Sequence, residues 1–185
     1  MKRLVLALAA ALVATVAAAQ SAAWPSKPLK FVVPFTAGSG TDIIARTVGD
    51  AMSRSLGQPV VIENKPGAGG TIGAAQVAKS DPDGYTILIH SSGHALNPAI
   101  YPSLPYDTLK DLTGVTPMAA LPNVLVVAPQ RGWKNVADLV AAAKGKPGQL
   151  NYASAGVGSA THLNAEKFKL QAGFDAVHVP FKGTP

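Results

Sequence analysis

Short apolar runs rich in β-branched residues alternate with helix-period segments along this chain. The runs at 29–33, 60–63, 85–89, 124–128, 150–154 and 177–180 predict strands. Between them, helices are predicted at 42–56, 71–79, 136–144 and 161–172. The first of these places Ile44, Val48, Ala51, Met52 and Leu56 on one face and stops at Gly57, while Gly145 and Gly173 close the third and fourth. Strand and helix in regular alternation predict an α/β fold with parallel sheets covered by helices. The stretch 112–122 is weakly patterned and holds Pro117 and Pro122, which predicts a boundary there between a first lobe, 24–123, and a second, 124–185. The second lobe would hold only about three strands. The last of them runs into Lys182-Gly183-Thr184-Pro185, the start of a turn with no helix after it, so the chain is expected to be the front part of a longer protein.

The first residues stand outside this pattern. Lys2 and Arg3 precede an apolar run from Leu4 to Ala18 broken only by Thr15, which reads as a secretory signal peptide over 1–19. Small residues at the required spacing also allow cleavage after Ala23. A transmembrane anchor would need roughly 20 apolar residues, more than this run supplies.

Composition narrows the chemistry. The 185 residues contain no cysteine, which fits an exported protein and removes disulfides, thiolate metal sites and cysteine nucleophiles. The formal net charge of +6 falls to +4 once Lys2 and Arg3 are removed. The remaining basic residues are scattered, without the runs or interleaved aromatics that nucleic-acid binding needs, so no nucleic-acid partner is expected. A mild positive field still gathers anionic solutes.

One motif occurs twice. Phe35-Thr36-Ala37-Gly38-Ser39-Gly40-Thr41-Asp42 and Ser154-Ala155-Gly156-Val157-Gly158-Ser159 each join a strand to a helix through glycines and small hydroxyl residues. Such turns let backbone amides converge, and the following helix aims its unpaired N–H groups and positive dipole end into the turn, which favours an anion. Both lie at the carboxyl end of a strand, the edge where open α/β sheets bind ligands. A plainer reading of Gly38 and Gly40 is a tight turn with Ser39 or Thr41 as helix cap. Asp42 is expected to orient the loop's amides, since a carboxylate would repel an anionic ligand. His162 reads equally as a donor to a ligand carboxylate or as a histidine bonding a backbone carbonyl. Ser154 and Ser159 are the expected hydroxyl donors, and Ser91 and His94 follow a strand to the same edge.

Catalytic and metal readings fare worse. No Gly-x-Ser-x-Gly elbow accompanies Ser91, His90 and His94 lack the glutamate of a zincin helix, and Gly156-Val157-Gly158 lacks the third glycine of a dinucleotide loop. Neither metal nor cofactor is expected, and no enzyme activity. The glycine-rich stretch 64–70 reads as a turn feeding the next helix, and Tyr101 as a packing residue.

The run from Trp24-Pro25-Ser26-Lys27-Pro28 to Val33-Pro34-Phe35-Thr36-Ala37-Gly38-Ser39-Gly40-Thr41-Asp42 resembles the amino-terminal signature of the Bug family, the extracytoplasmic solute receptors of tripartite tricarboxylate transporters. Further blocks agree in order: Gly57-Gln58-Pro59 through Gly69-Gly70, Pro82-Asp83-Gly84-Tyr85-Thr86, His94-Ala95-Leu96-Asn97-Pro98, Leu104-Pro105-Tyr106-Asp107, Leu150-Asn151-Tyr152-Ala153-Ser154-Ala155-Gly156 and His178-Val179-Pro180-Phe181-Lys182-Gly183. The resemblance implies a two-lobed, type II-like periplasmic binding protein, each lobe a parallel-dominated sheet flanked by helices, with the second lobe incomplete here. It also implies a monomer that closes over a small organic acid and delivers it to a membrane permease. Ser39 stands where a third glycine is usual and Val157 where a polar residue is common. Two alternatives remain open at this point: a ligand-loaded sensor for a membrane histidine kinase, and a periplasmic α/β enzyme acting on an organic acid.

Overall fold

A computed structural model describes residues 24–183; the signal-peptide reading of 1–19 lies outside the described residues. The first sheet consists of β1 (Leu29–Val33), β2 (Val60–Asn64) and β3 (Thr86–Leu88), all parallel, in the order β2-β1-β3. The central position of β1 explains its composition. Leu29, Phe31, Val32 and Val33 are almost wholly buried, as expected of a strand covered on both faces, and Phe31 is registered between Ile62 and Ile87. Lys30 interrupts the run and pairs with Glu63 at 3.1 Å.

Helix α1 (Gly40–Leu56) begins at Ser39, whose side chain accepts from the Asp42 amide, and ends at Gly57 in the left-handed conformation. Its buried face differs from the predicted one. Ala45 and Gly49 sit against the sheet, Ala51 is exposed, and Ile44, Val48 and Met52 are half-buried. Small residues let the helix axis approach the strands: a Cβ at Gly49 would lie 3.2 Å from Val60 Cγ1 and 3.3 Å from Ile62 Cδ1. Ile44 is thereby displaced toward the end of the sheet where the loops gather.

Helix α2 (Thr71–Ala78) follows a single 3-10 turn, Ala68–Gly70, and α3 (Asn97–Ile100) follows another, Ser92–Leu96. Beyond them, α4 (Val136–Gly145), β4 (Asn151–Ser154), α5 (Ala160–Ala172) and β5 (Val177–Pro180) form a second unit in which β4 and β5 pair in parallel. The strand expected at 124–128 does not form. Val124 and Val126 are 78% and 79% exposed, and among the described residues no strand lies alongside to take their backbone hydrogen bonds. High β-propensity makes a strand only where a neighbour completes the ladder. The second sheet therefore has two strands, not three.

The two units meet through hydrogen bonds to backbone carbonyls and through apolar packing. The Thr36 amide donates to the Lys182 carbonyl at 3.1 Å, and Tyr101 Oη donates to the Val157 carbonyl at 2.8 Å. One apolar cluster, Phe31, Val33, Phe35, Ala45, Ile89 and Ala155, runs from the first sheet to the start of the loop after β4.

Candidate functional site

A cleft of about 580 Å³ opens where the carboxyl ends of β1, β3 and β4 converge. Phe35, Ser39, Gly40 and Thr41 line it from the β1–α1 loop and helix start, His90 and Ser91 from the end of β3, and Ala155, Ser159, Ala160 and Thr161 from the β4–α5 turn. The segment 116–123 lies along one side with Met118, Leu121 and Asn123, and Asn164 reaches in from α5. Both glycine loops thus face one crevice.

Their amides are less available than the glycine count suggests. In the first loop Gly38 N–H donates to Asp42 Oδ2 at 2.8 Å, Ser39 N–H to the Thr36 carbonyl at 3.2 Å, and Thr36 N–H to Lys182. In the second, Ala155 N–H donates to Thr161 Oγ1 at 2.9 Å, Gly156 N–H to Ser154 Oγ at 3.1 Å, Gly158 N–H to His162 Nδ1 at 3.2 Å, and Ser159 N–H to the Gly156 carbonyl at 3.1 Å. The glycines hold the loops in shape. The donors left for a ligand are the amides at the first helical positions, Gly40 and Thr41 on α1 and Ala160 and Thr161 on α5, which have no carbonyl one turn earlier in their helices. Ser39 and Ser159 cap these helices by accepting from Asp42 N–H and His162 N–H; Ser39 keeps its proton to donate, while Ser159 Oγ and Thr161 Oγ1, 3.1 Å apart, share one hydrogen bond and leave one hydroxyl proton between them.

Of the residues singled out from sequence, Phe35, Ser39, Gly40, Thr41, Ser91, Ala155 and Ser159 line the cleft; Thr36, Ala37, Gly38, Asp42, His94, Ser154, Gly156, Gly158 and His162 do not. Asp42 is 2% exposed and accepts from Gly38 N–H, Arg46 Nε at 2.9 Å and Asn64 Nδ2 at 2.9 Å, the orienting role expected of it. Ser154 is instead buried, its Oγ 2.6 Å from His178 Nε2. His162 is stacked on His178 with ring centroids 4.1 Å apart, and its Nδ1 accepts from the Gly158 amide, a backbone N–H and not the carbonyl of the plainer reading. Burial pushes both imidazoles below the usual histidine value. His94 packs between the rings of His90 and Tyr106.

Sequence reasoning missed the residues that bring the loops together. Gly69 and Gly93 dock against the second loop so closely that a Cβ at Gly69 would fall on the Val157 carbonyl oxygen, and one at Gly93 would lie 2.7 Å from the Gly158 carbonyl and 3.1 Å from the Ala160 nitrogen. The stretch 64–70 is thus a docking shelf as well as a turn. Tyr101 completes it through Val157. The glycine doublet and the tyrosine were visible in the sequence, but their partner lies more than fifty positions away.

Burial, and secondarily His94, push the His90 imidazole down to about 4. The unfolded chain takes up a proton near pH 6.5 that the folded chain refuses, so stability is full above that pH and drains as pH falls toward 4. The gap corresponds to about 3 kcal/mol. Urea midpoints should drop between pH 7.5 and 4.5, and the drop should shrink in His90→Asn; an equal drop in both would assign it elsewhere.

Residues 44–185 match the family model described as "Tripartite tricarboxylate transporter family receptor". The chain belongs to this receptor family. It is 40% identical over 163 residues to the protein BugT of Bordetella pertussis, covering 87% of this chain and 50% of BugT. Among solved structures, Rpa4515 of R. palustris with adipate is 40% identical with a TM-score of 0.82, covering 86% of this chain and 54% of that one. MatC (Rpa3494) from Rhodopseudomonas palustris with bound malate is 35% identical with a TM-score of 0.81, covering 86% and 55%. This receptor-family chain therefore spans about half the length of the relatives it matches.

Proposed function

We infer that the chain is part of an exported solute receptor that holds a small carboxylate in the cleft and passes it to a membrane permease. The observation that carries this reading is the convergence on one crevice of two capped helix starts, Ser39-Gly40-Thr41 and Ser159-Ala160-Thr161, from the two units. Each offers unpaired amides, a hydroxyl and the positive end of a helix dipole to an anion. Family membership and the adipate and malate held by similar proteins support a carboxylate as that anion.

Closure follows from the arrangement. A ligand with a carboxylate on one helix start gains the second set of donors only when the lobes approach, and each hydrogen bond to a charged acceptor contributes about 1.5–3 kcal/mol. The closed form is favoured by that difference alone.

The test is calorimetric titration of the full-length mature protein with organic acids and with their uncharged diamides. Acids should bind with heat that the diamides fail to produce. Equal binding of diamides, or no binding by any acid, would refute the reading.

A further inference from the structure

We propose that the cleft selects acids with an extended apolar body between or beside their carboxylates, over compact hydroxylated, amino or tricarboxylic acids. The proposal rests on the carboxylate reading above and specifies its ligand class. What carries it is the surface that joins the two sets of donors. Phe35 leads into the first loop, Ala155 opens the second, and Ile89 directly follows β3; all three belong to one buried apolar cluster, against which Met118 packs. The floor of the cleft is therefore a continuation of the hydrophobic core.

The wall beside α1 has the same character. Ile44 lines the cleft one turn beyond Gly40, and Leu121 Cδ1 lies 3.2 Å from where a Cβ of Gly40 would stand, so an aliphatic side chain abuts the very helix start that offers its amides. A carboxylate on Gly40 and Thr41 has its carbon skeleton directed along Ile44, Leu121 and Met118. Methylene or ring carbon there removes apolar surface from water on both sides. An ammonium or third carboxylate placed there gives up its hydration against aliphatic carbon, which is costly for a charge. Size argues the same way, because a cleft of about 580 Å³ lies in the range that encloses drug-sized ligands. A four-carbon acid leaves much of that space to water.

Polar groups speak for the opposite class, Ser91 above all. Ser91 lines the cleft and its buried Oγ has no hydrogen-bond partner, which would suit a ligand hydroxyl. Ser92, Thr116, Asn123 and Asn164 also line the cleft, so the apolar path along Phe35, Ile89, Met118, Leu121 and Ile44 runs beside polar groups, and a water reaching the cleft satisfies Ser91 Oγ equally.

The experiment is calorimetry on the full-length mature protein with succinate, glutarate, adipate and suberate, beside malate, glutamate and citrate. Affinity should rise about fourfold per added methylene from succinate to adipate. Malate, glutamate and citrate should bind more weakly than adipate, and Met118→Asn should flatten the dependence on chain length. Tightest binding of malate, glutamate or citrate, or affinity independent of chain length, overturns the proposal while leaving a carboxylate receptor in place. Binding of none of these acids overturns both.

Discussion

Gly69→Val is expected to lower affinity for the cognate acid by more than a hundredfold while leaving the first sheet intact. Gly69 sits at φ 60°, where a β-branched residue is strained, and the added Cβ would clash with the Val157 carbonyl oxygen and stand 3.0 Å from Tyr101 Oη. Both obstacles are parts of the contact that seats the β4–α5 loop, and one is backbone, which has no rotamer to escape into. The loop must back away, carrying Ser159, Ala160 and Thr161 out of register with the α1 start. Two or three hydrogen bonds to a charged carboxylate are then lost together, which accounts for the magnitude. Gly38→Val supplies the control. Gly38 also has positive φ, at 83°, but a Cβ there meets nothing within 4 Å, and its N–H is already committed to Asp42. Strain alone should destabilise that variant by about 1–2 kcal/mol with a modest change in affinity. Calorimetry and urea unfolding of both variants separate the effects; equal affinity losses would mean that docking against Val157 does not matter.

The contrast between these glycines shows what was legible in the sequence. Period-two and period-3.6 patterns were enough to place β1, β2, β4, β5 and the four longer helices, because each is decided by residues adjacent in the chain. The first helix cap was equally local, a small hydroxyl residue, Ser39, at the right offset, while Ser159, read as a ligand donor, caps α5 in the same way. What failed depended on partners. Residues 124–128 have the composition of a strand, but strands are made by neighbours. Ile44 reads as core by helical period, yet Ala45 and Gly49 let the helix settle onto β2 and turn Ile44 to the cleft. The glycine loops were legible as a site and misleading in detail. A glycine permits an amide to turn inward, and only the folded chain shows whether Asp42 or His162 has already taken that amide.

Asp42→Ala should produce the second large effect, a loss of about 2–4 kcal/mol in unfolding free energy with slackening of the whole β1–α1 loop. The carboxylate is 2% exposed and is shared by three donors from separate parts of the chain: Gly38 N–H in the loop, Arg46 Nε on the next turn of α1, and Asn64 Nδ2 at the end of β2. Asn64 also donates to the Phe35 carbonyl at 3.0 Å, so Asp42 and Asn64 together fix both ends of the loop that leads to Ser39, Gly40 and Thr41. Arg46 is half-exposed and finds water when its partner is removed, so its share is small. Gly38 is exposed and half-buried Asn64 keeps its bond to the Phe35 carbonyl, so the cost comes from losing the charge-assisted bonds that tie the loop to the end of β2. The titration has a definite sign. Burial by itself pushes the Asp42 carboxyl up, but the hydrogen bonds from Arg46, Gly38 and Asn64 together outweigh it and hold the group below its usual value. A carboxyl depressed in the folded state contributes its stability in full above about pH 4, the unfolded value, and loses it as pH falls through the folded one. That window lies below the one assigned to His90, so the acid limb of the stability curve should show two steps. Asp42→Asn keeps an acceptor for Gly38 but cannot titrate, and should shrink the lower step, to which the depressed carboxyls of Glu63, Asp83, Asp107 and Glu166 also contribute, while sparing the upper. If the lower step is undiminished in Asp42→Asn, the carboxylate is not the group that holds the loop.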